Sequence, residues 1–106
     1  MIKITYSERA HTLALKGHAG LAEKGQDIIC ATITGHTYTL AAALEKIKAQ
    51  HGTRKLVTYF DDGMILIRCT PRFFRQRDIE LLFDTFCTCF EGMQEAYPEH
   101  VSFARK

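Results

Sequence analysis

Two residues of this chain are best suited to covalent chemistry: His18, within Gly17-His18-Ala19-Gly20, and Cys30, which ends the run Gly25-Gln26-Asp27-Ile28-Ile29-Cys30. A cysteine thiolate attacks electrophilic carbon, and a neighbouring imidazole can take up its proton and later return it to a leaving group. Asp27, placed before an apolar run, has the character of a helix N-cap, because its carboxylate can accept from the free N–H groups of a first turn. With Asp27 as the cap, Cys30 becomes the third helical residue, where the positive end of the helix dipole favours the thiolate. The free N–H groups of that turn are then candidate donors to an oxyanion. Thr34, one turn further, presents a hydroxyl on the same helix face, where it can contact a substrate or orient the imidazole. The glycines around His18 give a loop able to close over a bound peptide and open again.

Each residue also has a plainer reading. Free cysteine is among the most buried residue types, and near a helix start it is commonly a small core hydrophobe. A histidine between glycines is commonly a loop residue. Gly17-His18-Ala19-Gly20 further fits the G-x-x-G of RNA-binding KH domains, but that loop joins two helices, whereas this one leaves an apparent strand.

The segment Gly17-His18-Ala19-Gly20, then Gly25, then Asp27-Ile28-Ile29-Cys30-Ala31, resembles the signature of the bacterial ribosomal-processing cysteine protease (Prp-type) family. That family has a G-H-A loop, a D-I-V-C-A-A helix start and a fixed interval between its His and Cys, and the resemblance extends over essentially the whole chain. It implies Cys30 as nucleophile and His18 as general base. Gly17, Ala19, Gly20, Asp27 and Thr34 become substrate-binding or orienting residues. Thr34 stands where the family usually has serine, keeping a hydroxyl and adding a methyl. The resemblance also implies a homodimer and a substrate: the N-terminal extension of large-subunit ribosomal protein twenty-seven, removed during ribosome assembly, with a phage structural protein as another substrate class that the sequence does not distinguish from it.

At 106 residues the chain is long enough for one core and too short for two, so residues 1–106 are expected to form a single protease domain. A formal net charge of +2 gives no global case for nucleic-acid binding, and direct RNA binding is not expected. Four cysteines could pair, but the chain opens Met1-Ile2-Lys3 without a secretory leader, so reduced thiols and a cytoplasmic location are expected. No apolar run approaches a membrane span. Cys87 and Cys89 are two apart and would face different sides of a helix, a poor metal pair; with Cys69 they are expected to be packing residues. No metal or cofactor is expected.

Alternation of Ile2, Ile4 and Tyr6, then of Leu13 and Leu15, predicts a hairpin running into the His18 loop. Ile29, Ile33, Leu40, Leu44 and Ile47 form an apolar stripe on a helix over 28–49, with Cys30, Thr34, Thr37 and Ala41 on the adjoining stripe and Gly52 as C-cap. Ala41-Ala42-Ala43 extends the apolar surface further round, as a dimer contact would require. Asp61-Asp62-Gly63 turns a second hairpin, over 56–60 and 64–69, and Met64 to Ile67 has the apolar density of a central strand. Asp78 is expected to cap a second helix over 79–97, faced by Ile79, Leu82, Phe83, Phe86, Phe90, Met93 and Tyr97, before a short last strand at Val101 and Phe103. Arg68, Arg72, Phe73, Phe74, Arg75 and Arg77 make a basic, aromatic patch that could take an anion such as RNA. The acidic residues Asp78, Glu80 and Asp84 follow at once, and the phenylalanines are expected to staple into the core.

The expected fold is α+β, a two-layer sandwich of order β-β-α-β-β-α-β with two helices on a mainly antiparallel sheet. The expected function is a cysteine endopeptidase with a Cys–His dyad, acting on a ribosomal protein precursor. A ribosome-associated RNA-binding module is the alternative, and a thiol redox sensor centred on Cys30 a third reading.

Overall fold

The computed structural model describes residues 1–17 and 24–106, with the backbone alone at 24–27. The predicted positions His18, Ala19 and Gly20, and the side chain of Asp27, lie outside the described residues. The elements run β1 (Ile2–Ser7), β2 (Thr12–Lys16), α1 (Lys24–Ala49), β3 (Thr53–Asp61), β4 (Met64–Pro71), a 3-10 turn (Phe73–Arg75), α2 (Gln76–Ala96) and β5 (Val101–Arg105). They build one five-stranded sheet of order β3-β4-β2-β1-β5, with both helices packed on the same face.

Strand alternation sets the two faces. Ile4 pairs with Leu15, which pairs with Ile65, and Tyr6 with Leu13, which pairs with Ile67, so these residues point together toward the helices. Ile4, Leu13 and Ile67 are at most 1% exposed. Three of the four strand pairings are antiparallel, as expected; the fourth, β1 with β5, is parallel, which makes the sheet mixed. That parallel placement follows from α2, which carries the chain across the sheet from β4 to its far edge. The strand rich in Met64 to Ile67 is interior, between β3 and β2, while β2 holds the middle.

The α1 stripe is buried as predicted, from Ile29 through Ile33, Leu40 and Leu44 to Ile47. Thr37 is fully buried within it rather than at its margin, and donates its hydroxyl to the Thr34 carbonyl at 2.8 Å, so no buried polar group is left unmatched there. On α2, Ile79, Phe83, Cys87 and Phe90 face the core, and Phe83 stacks on Tyr6 with centroids 5.0 Å apart. Leu82, Phe86 and Met93 are partly buried against it, while Tyr97 lies at the exposed C-cap.

Several expectations about helix ends and side-chain placement are corrected. Helix α1 is already formed at Lys24, so Asp27 is an interior residue and not the cap. Helix α2 begins at Gln76, after a 3-10 turn that starts the coil before Asp78, whose carboxylate accepts from Arg75 Nε at 2.7 Å instead of capping. Phe73 and Phe74 are 90% and 57% exposed and pack edge to face on each other, not into the core. Cys69 and Cys87 are buried packing residues as expected, whereas Cys89 is exposed on the other side of α2. Burial pushes both the Cys69 and Cys87 thiols up to about 11.

At the end of α1, His51 (φ 59°) takes the left-handed position, one residue before the glycine expected there. His51 N–H donates to the Lys48 carbonyl and Gly52 N–H to the Ile47 carbonyl, both at 2.9 Å, closing a Schellman end. Gly52 is needed for space: a Cβ there would lie 2.5 Å from Ile47 Cγ2 and 2.8 Å from Arg75 Cγ. The two positions are therefore expected to respond oppositely in thermal denaturation. His51→Gly should raise stability by about 1 kcal/mol by removing left-handed strain. Gly52→Ala should lower it by about 1–3 kcal/mol through overpacking.

Candidate active site

One turn of a helix separates Cys30, Thr34 and Tyr38, so the three lie in a row along one face of α1. That row forms one wall of an open cavity of about 500 Å³. The opposite wall is the β3–β4 hairpin: Phe60, Asp61, Asp62, Gly63, Met64 and Ile65. Ile2, Leu15 and Gly17 supply the floor from the neighbouring strands. The predicted pair Cys30 and Thr34 therefore shares one cavity, and Gly17, the residue before His18, borders it.

Cys30 is half-buried and packs against the core cluster beside Ile29 and Ile33. It sits in the second turn of α1, seven residues along the described helix rather than three. The free N–H groups of a helix belong to its first turn, as does most of the dipole's influence. A first-turn oxyanion site at Cys30 is thus not what this helix start provides. Thr34, by contrast, lines the cavity one turn from Cys30.

Two backbone features hold the cavity's mouth. Gly17 N–H donates to the Gly63 carbonyl at 2.9 Å, tying the end of β2 to the hairpin turn. Gly17 has φ 99°, and a Cβ there would run into the Met1 carbonyl oxygen, so this position requires glycine for both reasons. The turn itself is stiffened by Asp61, whose carboxylate accepts from Asp62 N–H at 2.7 Å and from the Tyr59 hydroxyl at 3.0 Å. These bonds hold the Asp61 carboxyl below the usual carboxylate range, the Asp62 N–H contributing most. A fixed negative charge thus stands at one rim of the cavity, whose lining mixes polar and apolar groups.

Tyr38, Phe60, Asp61, Asp62 and Met64 were not singled out by the sequence. Tyr38 carried a usable signal, since it continues the four-residue spacing from Cys30 through Thr34. Its ring lies 4.6 Å from that of Phe60 and remains 55% exposed, forming an aromatic lip. The hairpin residues carried none, because their meeting with α1 depends on the strand order. Among the described residues, no group of three or more His, Cys, Asp or Glu side chains is placed to hold a metal ion, and no helix is long and apolar enough to cross a membrane.

Comparison with known proteins bears on the family and the fold. Residues 1–102 match the cysteine protease Prp family. A ribosomal processing cysteine protease Prp from Mycoplasma genitalium is 34% identical over 101 residues, covering 95% of this chain and 92% of its own. The fold matches an essential ribosomal processing protease Prp from S. aureus, solved with a covalently linked product peptide, at a TM-score of 0.77 and 22% identity over all of both chains. The S. aureus protease with a substrate peptide matches at a TM-score of 0.72 and 21% identity, over 99% of this chain and 97% of that one. With a half-buried cysteine on the wall of an open cavity and a family match over residues 1–102, the chain belongs to the Prp family of cysteine proteases.

Proposed function

We propose that this cysteine protease is an endopeptidase that removes the N-terminal extension of large-subunit ribosomal protein twenty-seven, with Cys30 as nucleophile and His18 as general base. The observation that carries this reading is the position of Cys30: anchored to the core on one side and bordering an open cavity on the other. The Mycoplasma relative is a ribosomal processing protease and the S. aureus structures hold peptides, which supports a ribosomal protein precursor as substrate.

In this reading the Cys30 thiol gives its proton to His18, and the sulfur attacks the scissile carbonyl carbon to form a tetrahedral oxyanion. Collapse breaks the C–N bond, and the His18 imidazolium protonates the departing amine. A water molecule, deprotonated by His18, then attacks the thioester, releasing the carboxylate product and restoring the thiol. The Thr34 hydroxyl, one turn from the sulfur, donates to the substrate or to the developing oxyanion. Gly17, Ala19 and Gly20 frame His18, and Asp27 orients the imidazole or the substrate. Residues 1–106 act as one protease domain, a cytoplasmic homodimer in which the exposed Ala42 side of α1 takes part.

Incubation with the extended precursor tests the dyad. Wild type is expected to release the extension, while Cys30→Ala and His18→Ala both lose cleavage; retention in either variant contradicts the assigned role. Thr34→Ser should keep activity, and Thr34→Ala should lower kcat/KM about tenfold, the worth of one hydrogen bond of about 1.4 kcal/mol. Native alkylation at pH 8 should modify Cys30 and Cys89 only, since a thiol near 11 is thiolate in about one molecule per thousand there. Peptide mass spectrometry run beside the cleavage assay should show inactivation following Cys30 modification alone.

A further inference from the structure

The helices cover one face of the sheet and leave the other bare. Its residues follow from the pairing register: Lys3, Thr5 and Ser7 on β1; Thr12, Ala14 and Lys16 on β2; Met64, Leu66, Arg68 and Thr70 on β4; Lys55, Val57, Tyr59 and Asp61 on β3; Ser102 and Ala104 on β5. None of these is buried, while alternate residues of β1, β2, β4 and β5 supply the core and Leu56 and Phe60 of β3 pack against it.

The bare face is ordered in rows across the strands. The middle row reads Tyr59, Leu66, Ala14, Thr5, Ala104, an apolar track beginning at an aromatic ring that is 46% exposed. Two residues toward one end of the strands lie Lys16 and Lys3, which are direct cross-strand partners. Two residues toward the other end lies Arg68, with Lys55 one step beyond. Rows two residues apart are about 7 Å apart, so the cations flank the track on both sides, about 13 Å across. Asp61 is the single carboxylate of this face among the described residues, and its oxygens are engaged by Asp62 N–H and the Tyr59 hydroxyl. Four cations against one carboxylate give this face more positive charge than the +2 of the whole chain.

We propose that the bare face of the sheet binds single-stranded RNA, the bases lying along the Tyr59–Leu66–Ala14 track and the phosphates meeting Lys3, Lys16, Lys55 and Arg68. A flat apolar row with an aromatic ring suits unstacked bases, and flanking cations suit the backbone on either side. A second copy of the chain does not suit it, because each lysine row would oppose another. The face needs no part of the Cys30 cavity except at its edge, where Met64 and Asp61 belong to both.

Fluorescence anisotropy of a labelled mixed-sequence RNA 12-mer against the full chain tests this directly. Wild type is expected to bind with an affinity that falls steeply with salt. The double variant Lys3→Glu/Arg68→Glu should bind at least tenfold more weakly with a shallower salt slope, while Arg77→Glu on α2 should not change either. Tyr59→Phe should keep affinity and Tyr59→Leu lose fivefold or more. Precursor cleavage and thermal melting should be unchanged in the double variant, which separates this site from the dyad and from misfolding. The proposal is overturned if binding is absent at low salt, if the double variant binds like Arg77→Glu, or if polyglutamate competes as well as the RNA does.

Discussion

The rotation of α1 about its own axis is the constraint on which the site depends. Ile29, Ile33, Leu40, Leu44 and Ile47 must all face the sheet, and rolling the helix would expose side chains worth about 1.5–3 kcal/mol each. Each residue advances about 100° round an α-helix. Cys30, one step from Ile29, is thereby carried off the core and onto its rim, and Thr34 and Tyr38 follow it one and two turns later. The packing of Ile29 and Ile33 on the sheet fixes where the sulfur stands along and around the helix.

Periodicity was the legible part of the sequence. The alternation in β1 and β2, the Asp-Gly turn between β3 and β4, and the stripes on both helices each reflect burial on one side, which local spacing reports faithfully. Helix starts were not legible. Asp27 and Asp78 both precede apolar runs, but an acidic residue is equally at home inside the first turns, where the dipole favours it. The left-handed residue after α1 shows the same limit. Glycine is the usual occupant, yet the room required by Ile47 and Arg75 fixed Gly52 one position later and left His51 with the strained angle. Exposed Phe73 and Phe74 depart from the ordinary fate of phenylalanine, and the interleaved arginines are the local mark of that departure.

Long-range meetings were illegible for a different reason. The cavity is closed by residues some thirty positions from Cys30, and only the order β3-β4-β2-β1-β5 brings the hairpin turn beside α1 and beneath the end of β2. Likewise, Arg105 reaches Glu8, Asp84 and Glu91 at 2.8–3.2 Å, linking the last strand to the first turn and to α2. Those three carboxylates hold the guanidinium firmly protonated, Asp84 most of all, and they concentrate acidic charge on the helix side of the sheet. Net charge, being a sum, hides such a partition: the helix layer and the bare sheet face differ in sign while the chain as a whole is nearly neutral.

The setting of Cys30 differs from that of the other three cysteines. Cys69 and Cys87 lie in the core, where desolvation penalises the charged form and raises both thiols to about 11, leaving them as small apolar fillers. Cys89, two residues from Cys87, is turned outward and does not line the cavity that Cys30 borders. Cys30 alone among the four combines contact with the core and a place on a cavity wall. The proposed role of nucleophile would use both: the first limits the positions the sulfur can sample, so that less orientational freedom is lost on reaching the transition state, and the second lets a carbonyl approach. Composition makes all four cysteines equal candidates; the 100° step between neighbours on a packed helix separates them.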